Sequence, residues 1–305
     1  MGKILILGGT RFFGKRLVEL LQQEGSHEIT VATRGHNIPD IGPSIKHVII
    51  DRTRPEDIKR VAQLEKWDCV YDNICYSSNE ALASVKAFQS QPIRYILTST
   101  LSVYDPEQEL LREDRFDPYS YPIQMGDKDQ FSYQEGKRQA EAVFAQRADF
   151  AFTATRIPIV LGPDDYTRRL HWHVERVQRG LPIGIPNLDA HMSFIHAEEV
   201  ASFLRWLGNP QSIQVVGPVN ASAQGQMSIR EILSQVERIA HIQAKITNEF
   251  KNEDASPFGI PDNWVMDTTK ASQAGFKFSH LADWLPILTQ NIWYEMEQRM
   301  EWVKE

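Results

Sequence analysis

The chain has 305 residues, enough for one large domain or two modest ones with a substantial core. Hydrophobic residues make up 42% and charged residues 24%, as in ordinary globular proteins, and a formal net charge of −7 offers no global attraction to nucleic acid or an anionic membrane. No apolar run approaches the roughly 20 residues that a membrane helix needs. The two cysteines, Cys69 and Cys75, have no metal-type spacing, so reduced thiols in a cytoplasm are expected.

The first 25 residues organise the rest. Lys3 to Leu7 is an apolar run that reads as a buried strand, Gly8 and Gly9 break it, and Gly14 opens a pattern with Leu17, Leu20 and Leu21 on one helical face. Gly25 stands where that helix ends. The apolar run is only a strand long and enters the glycine turn directly, so no signal peptide is expected. Strand, glycine turn and helix form a dinucleotide site: glycine permits strained backbone angles and close approach of a diphosphate, and the helix N-terminus offers unpaired N–H groups. Counting Gly-x-x-Gly-x-x-Gly from Gly8 puts Arg11 in the middle place, normally kept bare for the pyrophosphate. Its side chain must project away from the floor or lie over the nucleotide.

Glu28 to Thr33 and Lys46 to Asp51 read as the second and third strands. Thr53 and Glu56 form a capping box with Pro55 in the first turn of the next helix. Asp68 to Ile74 is a fourth strand, Ser77 and Glu80 start another capped helix, and Ile93 to Ser99 is a fifth strand. This alternation predicts βαβ units and a parallel sheet with both faces covered. Residues 105 to 130 lose periodicity and read as a surface loop. Helix returns at Tyr133 to Ala148, followed by a strand from Phe150 to Arg156. A helix bearing Arg168, Arg169, Arg176 and Arg179 follows, with a strand-like segment at Met192 to His196 and a helix from Ala197 to Leu207. Ser228 and Glu231 cap one more helix, and a Trp-rich amphipathic helix with Trp284, Trp293 and Trp302 starts near Asp283. Residues 1–162, with a return around 192–220, are assigned to the dinucleotide-binding domain, and 163–191 with 221–305 to a smaller lid.

Tyr133 and Lys137 are four apart at a helix start and share one face. A free phenol has a pKa near 10; lowering it by about three units takes roughly 4 kcal/mol, within reach of a close ammonium in a partly desolvated cleft. Such a tyrosine can act as general base toward an alcohol or acid toward a carbonyl. His171 and His173 lie two apart, which on a helix points them in different directions, so metal binding is not expected. The four arginines of the 168–179 helix read equally well as a grip on a substrate diphosphate or as a solvated face.

GGTRFFG, Asp51, Asp72-Asn73-Ile74-Cys75, the TSTLSVY cluster at 98–104, YQEGK, RIPIVLGP, SFIHAEEVA and DTTKASQAGF carry a resemblance over nearly the full length. The chain resembles the extended short-chain dehydrogenase/reductases, the NAD-dependent epimerase/dehydratase family. The GGTRF variant resembles an atypical subgroup that includes the chloroplast stem-loop-binding proteins. The resemblance implies an α/β, Rossmann-type doubly wound parallel sheet with a smaller C-terminal α/β substrate-binding region. It implies that Thr100 is the catalytic Ser/Thr that hydrogen-bonds the substrate oxygen, Tyr133 the acid/base, and Lys137 the lysine that holds the nicotinamide ribose and lowers the tyrosine pKa. It further implies cofactor contacts at Gly8, Thr10, Arg11, Phe12, Phe13, Gly14, Asn73 and Pro158, with Asp51 near the adenine and Cys75 at a position the family gives to small residues near the cofactor. A buried, inert thiol is favoured for Cys75.

The function expected from these features is an NAD(P)-dependent epimerase or reductase acting on a hydroxyl or ketone, such as that of a nucleotide-sugar. Family 4,6-dehydratases carry an Asp-Glu pair after the catalytic Thr; Leu101 and Ser102 stand there in this chain, which argues against elimination chemistry. The second strand ends Val31-Ala32-Thr33-Arg34, with no carboxylate before Asp40. A guanidinium can hold a 2′-phosphate and a carboxylate would repel it, so NADP is favoured over NAD, with Thr33, Arg34 and Arg11 as its contacts. A homodimer through the helices near 80–90 and 133–148 is expected, using apolar residues such as Ala140, Val143 and Phe144, which are equally placed to serve the core. The alternative is an RNA-binding or regulatory protein retaining the fold, like the stem-loop-binding relatives; the net negative charge argues against it.

Overall fold

A computed structural model describes residues 2–35, 42 and 44–302, the side chains of 299–302 excepted. Asp40 and the side chain of Trp302 lie outside the described residues. The first half alternates β1 (Gly2–Leu7), α1 (Phe12–Glu24), β2 (His27–Thr33), β3 (Lys46–Ile49), α2 (Pro55–Ala62), β4 (Cys69–Asp72), α3 (Ser78–Phe88), β5 (Arg94–Thr100), α4 (Tyr133–Arg147) and β6 (Ala151–Ile157). The second half adds β7 (Ile159–Leu161), α5 (Arg169–Arg179), β8 (Pro182–Gly184), β9 (His191–Met192), β10 (Phe194–His196), α6 (Ala197–Leu207) and β11 (Gly217–Asn220). It closes with β12 (Met227–Ser228), α7 (Ile229–Ala240), β13 (Lys245–Thr247), α8 (Thr269–Gln273) and α9 (Leu281–Trp302).

Seven strands form one parallel sheet in the order β11-β6-β5-β4-β1-β2-β3. Successive residues of a strand face opposite sides, and β1 divides accordingly. Ile4 and Ile6 join a core with α1 and α6, whereas Leu5 and Leu7 join one with α2, α3 and α4. Helices therefore cover both faces, and the fold is the α/β, Rossmann-type doubly wound sheet expected. A third core gathers α5, α7 and α9 around Leu170, Ile232 and Leu285, with short two-stranded pairings β8–β13 and β9–β12 beside it. No described helix is long and apolar enough to cross a membrane.

Two local expectations change. The capping box of Thr53 and Glu56 does not form: α2 starts at Pro55 behind Arg54, and Thr53 donates to Asp51 Oδ1 at 2.7 Å. The segment 105–130 is also more than a surface loop. Leu111 and Phe116 are buried with Leu101, Val103, Tyr104 and Met266. Arg156, fully buried, donates to the carbonyls of Glu113 (2.9 Å) and Phe116 (3.0 Å) while its other guanidinium edge grips Glu141 on α4. A charged anchor in the sheet leaves no periodic signal in the segment it holds. By contrast, Ser228 and Glu231 make the full reciprocal box at α7.

His171 and His173 are both buried on α5. His173 Nδ1 lies 2.8 Å from the Arg169 carbonyl, which can only accept, so Nδ1 carries the proton and Nε2 accepts from Ser256 Oγ at 2.7 Å. Burial pushes this imidazole down to about 4.

Glu141→Ala should destabilise the fold by about 3–5 kcal/mol, since it leaves the Arg156 charge buried without its carboxylate; urea denaturation measures this. The depressed His173 pKa means the unfolded chain binds the extra proton first. Stability from this group is full above about pH 6.5 and declines as pH falls toward 4, by about 3 kcal/mol in all. Denaturation at pH 7 and pH 4.5 should show a smaller loss in His173→Asn than in the wild type.

Candidate functional site

The order of the sheet reverses between β1 and β4, and a crevice opens at such a point beyond the carboxyl ends of the strands. Here it is a cleft of about 720 Å³, within the range of ligand sites. Its floor is the turn after β1. Gly8 has φ +79°, and a methyl group there would run into Ile74. A methyl on Gly14 would come 3.0 Å from the Gly8 carbonyl. The turn can close this tightly against the start of the helix only because both places are glycine. Arg11 solves the crowding at the middle place by taking extended backbone (φ −141°, ψ 151°) at the N-cap of α1. The positive φ falls instead on Phe12, at +51°, a conformation that costs a bulky residue about 1–2 kcal/mol. The Phe12 ring meets Tyr166 edge-on at 6.0 Å, and Arg16 from the same helix binds Asp164 bidentately at 2.8 Å. Thr10, Arg11, Phe12 and Phe13 all line the cleft with Gly8 and Gly14.

From this turn a run of hydrogen bonds crosses three strands. Asn73 Nδ2 donates to the Gly8 carbonyl at 2.9 Å, and Asn73 Oδ1 accepts from Thr98 Oγ1 at 2.7 Å. The Thr98 carbonyl accepts from Lys137 Nζ at 2.8 Å. Lys137 is thereby buried, 2% exposed, with its ammonium fixed under the cleft. Tyr133, one turn earlier on α4, is 54% exposed at the same cleft. Ser132 Oγ caps that helix by accepting from Glu135 N–H at 3.1 Å. Gly136 lets the helix press on the Tyr76 carbonyl, where a methyl would collide. The Tyr76 ring lies 6.3 Å from that of Tyr133 and carries two ammoniums, Lys137 at 4.4 Å and Lys128 at 4.5 Å. Burial pushes the Tyr76 phenol up, and burial likewise raises Glu80, which accepts from Tyr76 N–H at 2.6 Å. Thr100 ends β5 with its hydroxyl accepting from Ser102 N–H at 3.1 Å. Pro158 lines the cleft on β6's far side.

At the other end stand Thr33, Arg34, Asp51 and Arg52. Thr33 Oγ1 accepts from Gly35 N–H (3.3 Å) and pairs with His47 Nε2 (2.8 Å). Asp51 is held below the usual carboxylate range, first by the hydroxyl and N–H of Thr53 and further by Arg54 and Arg34. Arg52 turns inward to Asp72 and Ser84, both at 2.9 Å. Burial lowers its pKa, the Asp72 charge more than reverses this, and the guanidinium stays charged.

The structure thus brings the expected residues to one cleft with one exception. Cys75 is fully buried behind the wall, with Ile74 and Tyr76 lining in its place, and burial pushes its thiol up to about 12. Of the four arginines near α5, Arg168 is exposed at the N-cap, Arg169 lines the cleft, Arg176 is bound to Asp254 and stacked on Trp172, and Arg179 pairs with Glu175 on the surface. Sequence reasoning missed Tyr76, Lys128, Tyr166 and Trp264 at the cleft. Tyr76 follows the 72–75 motif directly and was legible by position; the other three come from segments without periodicity.

The NAD dependent epimerase/dehydratase family model matches residues 4–81 and 77–221. The chain is 30% identical over 227 residues to the chloroplast stem-loop binding protein of 41 kDa b of Arabidopsis thaliana, an alignment covering 69% of this chain and 56% of that protein. It is 26% identical over 104 residues to the 2′-dehydrokanamycin reductase of Streptomyces kanamyceticus, covering 34% and 29%. The chain therefore spans about half the length of the first curated relative and under a third of the second. The UDP-glucose 4-epimerase of Thermus thermophilus, solved with NAD, superposes with a TM-score of 0.70 at 16% identity, over 95% of this chain and 98% of that one.

Thr98→Val keeps the shape of the side chain and removes the donor to Asn73. It should weaken dinucleotide binding about tenfold, the worth of one such hydrogen bond to the turn. Titration calorimetry checks this, with circular dichroism to verify the fold.

Proposed function

Because the chain belongs to the NAD-dependent epimerase/dehydratase family, we propose that it is a nicotinamide-dinucleotide-dependent epimerase or reductase acting on a hydroxyl or keto carbon of a nucleotide-sugar. The observation that carries this reading is the hydrogen-bonded run from Gly8 through Asn73 and Thr98 to Lys137, which ties the diphosphate seat to the Tyr-Lys pair. The glycine cradle and the cleft volume fit a dinucleotide. Bound there, its nicotinamide would supply the hydride acceptor or donor. Tyr133 takes the proton from a substrate hydroxyl or returns it to a carbonyl. Lys137, buried one turn further along the same helix, would hold the nicotinamide ribose. Thr100 turns its hydroxyl to the same substrate oxygen. Residues 163–191 and 221–305 serve as the lid, contributing Tyr166, Arg169 and Trp264.

The proposal includes NADP in preference to NAD, supported by Arg34 and the Thr33 hydroxyl at the ribose end. It also includes a homodimer. The expected surface is that of the helices near 80–90 and 133–148; Ala140, Val143 and Phe144 are buried in the core and are not available to it. A second reading, RNA binding on the same fold, is favoured by the 30% identical stem-loop binding protein. A net charge of −7 weighs against it.

Tyr133→Phe should abolish turnover with little change in cofactor affinity, and a variant keeping more than a tenth of the wild-type rate removes the acid/base role. Lys137→Met should lower both. Calorimetry should give tighter binding of NADP than of NAD, with the difference reduced in Arg34→Ala. A salt-dependent RNA mobility shift without hydride transfer selects the second reading, and light scattering of a single chain at micromolar concentration removes the dimer.

A further inference from the structure

The two lysines on the Tyr76 ring have unequal assignments. Lys137 donates to Thr98 and belongs to the proposed proton-transfer pair. Lys128 has no role yet, although its position is firmly set. It opens a short turn, Lys128–Gln130, capped reciprocally by Asp127 and Gln130. That turn is fastened to the start of α3: Asn79 Nδ2 donates to Asp127 Oδ1 at 2.8 Å, Asn79 N–H to the Gly126 carbonyl at 3.2 Å, and Gly126 N–H to Ser78 Oγ at 2.9 Å. The ammonium ends over the Tyr76 ring at the cleft wall.

Among the described residues no carboxylate pairs with Lys128, nor with Arg169 across the cleft. The carboxylates lining this cleft are bonded locally, Asp51 by Thr53, Glu80 by Tyr76 N–H and Asp165 by Thr167 through Oδ1, although Asp165 Oδ2 is buried without a hydrogen bond. Two ammoniums, 4.4 and 4.5 Å from the centroid of one ring, repel each other, and the ring quadrupole offsets only part of that cost. An anion beside the exposed Lys128 relieves it. The cofactor diphosphate is not that anion, because its seat is the glycine turn. The neighbouring reactive group is Tyr133, whose ring adjoins that of Tyr76.

We infer that Lys128 is a specificity-determining residue that selects a substrate whose reacting sugar carries an anionic substituent, a carboxylate as in a uronic acid. This rests on the proposed placement of the reacting carbon at Tyr133. An ammonium backed by an aromatic face and lacking a protein counter-ion favours a carboxylate over a hydroxyl through a charge-assisted hydrogen bond. Neutral sugars leave it without a partner.

The test uses the protein loaded with oxidised cofactor and titrates UDP-glucuronate against UDP-glucose. The wild type should bind the acidic sugar at least tenfold more tightly. Lys128→Met should reduce the ratio to within twofold, and Lys128→Arg should keep it; cofactor affinity, measured separately, identifies any loss at the wrong end of the cleft. An equal affinity for the two sugars in the wild type, or a ratio preserved in Lys128→Met, overturns the assignment. If neither nucleotide-sugar binds, the nucleotide-sugar reading falls. Free glucuronate against glucose, followed by ligand-observed NMR on the same variants, then decides Lys128: a preference lost in Lys128→Met upholds it, and no preference overturns it.

Discussion

A carboxamide holds a donor and an acceptor in one rigid plane, and Asn73 uses both across the middle of the sheet. Its amino group fixes the carbonyl of Gly8 and its oxygen receives the Thr98 hydroxyl. Position matters as much as chemistry: the residue follows β4, between β1 and β5, at the reversal of strand order. The shape of the glycine turn and the height of the Lys137 ammonium are therefore set from one point. A residue of the same size without the two polar ends would leave a buried carbonyl and a buried hydroxyl unpaired, each costing about 1–3 kcal/mol.

Around this centre the protein places charge inside its core in two places, and the second of them, at Arg156, holds backbone that has no ladder of its own. Arg52 with Asp72, Ser84 and Tyr95 lies under α3, and Arg156 with Glu141 and Tyr104 lies under α4. Buried pairs of this kind add little net stability compared with apolar packing, but removing one member is costly. Their use here is geometric. Arg156 fixes the segment after β5 from inside, and that segment in turn delivers Lys128 to the cleft.

The sheet was legible because its strands and helices announce themselves by period, by Pro55 and by the caps at Ser77 and Ser228. Gly8 to Gly14 located the cleft, and Tyr133 with Lys137 located its reactive end. What escaped was non-periodic. Nothing near Lys128 or Trp264 in the sequence points to the cleft, because their placement depends on bonds to residues dozens of positions away. The Thr53 capping box failed because α2 starts at Pro55 with Arg54 as its N-cap, which leaves Thr53 one residue outside the cap position, where its hydroxyl donates to Asp51. The positive φ of Phe12 was hidden too, since a glycine-poor turn shows that some residue must bear the strain without showing which one.

The anchoring of residues 105–130 also has a temporal side. Asn220 donates to the Leu111 carbonyl across 109 positions, and Arg156 reaches Glu113 and Phe116 across 43 and 40. A chain made from its N-terminus at about 5–20 residues per second completes the first five strands, then carries this segment for about 8–30 s before its last partners, Val265 to Asp267, have been synthesised. During that interval the pocket for Leu111 and Phe116 lacks Met266. The nascent protein therefore passes through a stage with a finished sheet centre and an incompletely sheltered apolar strand-end, the period in which a chaperone would have most to hold.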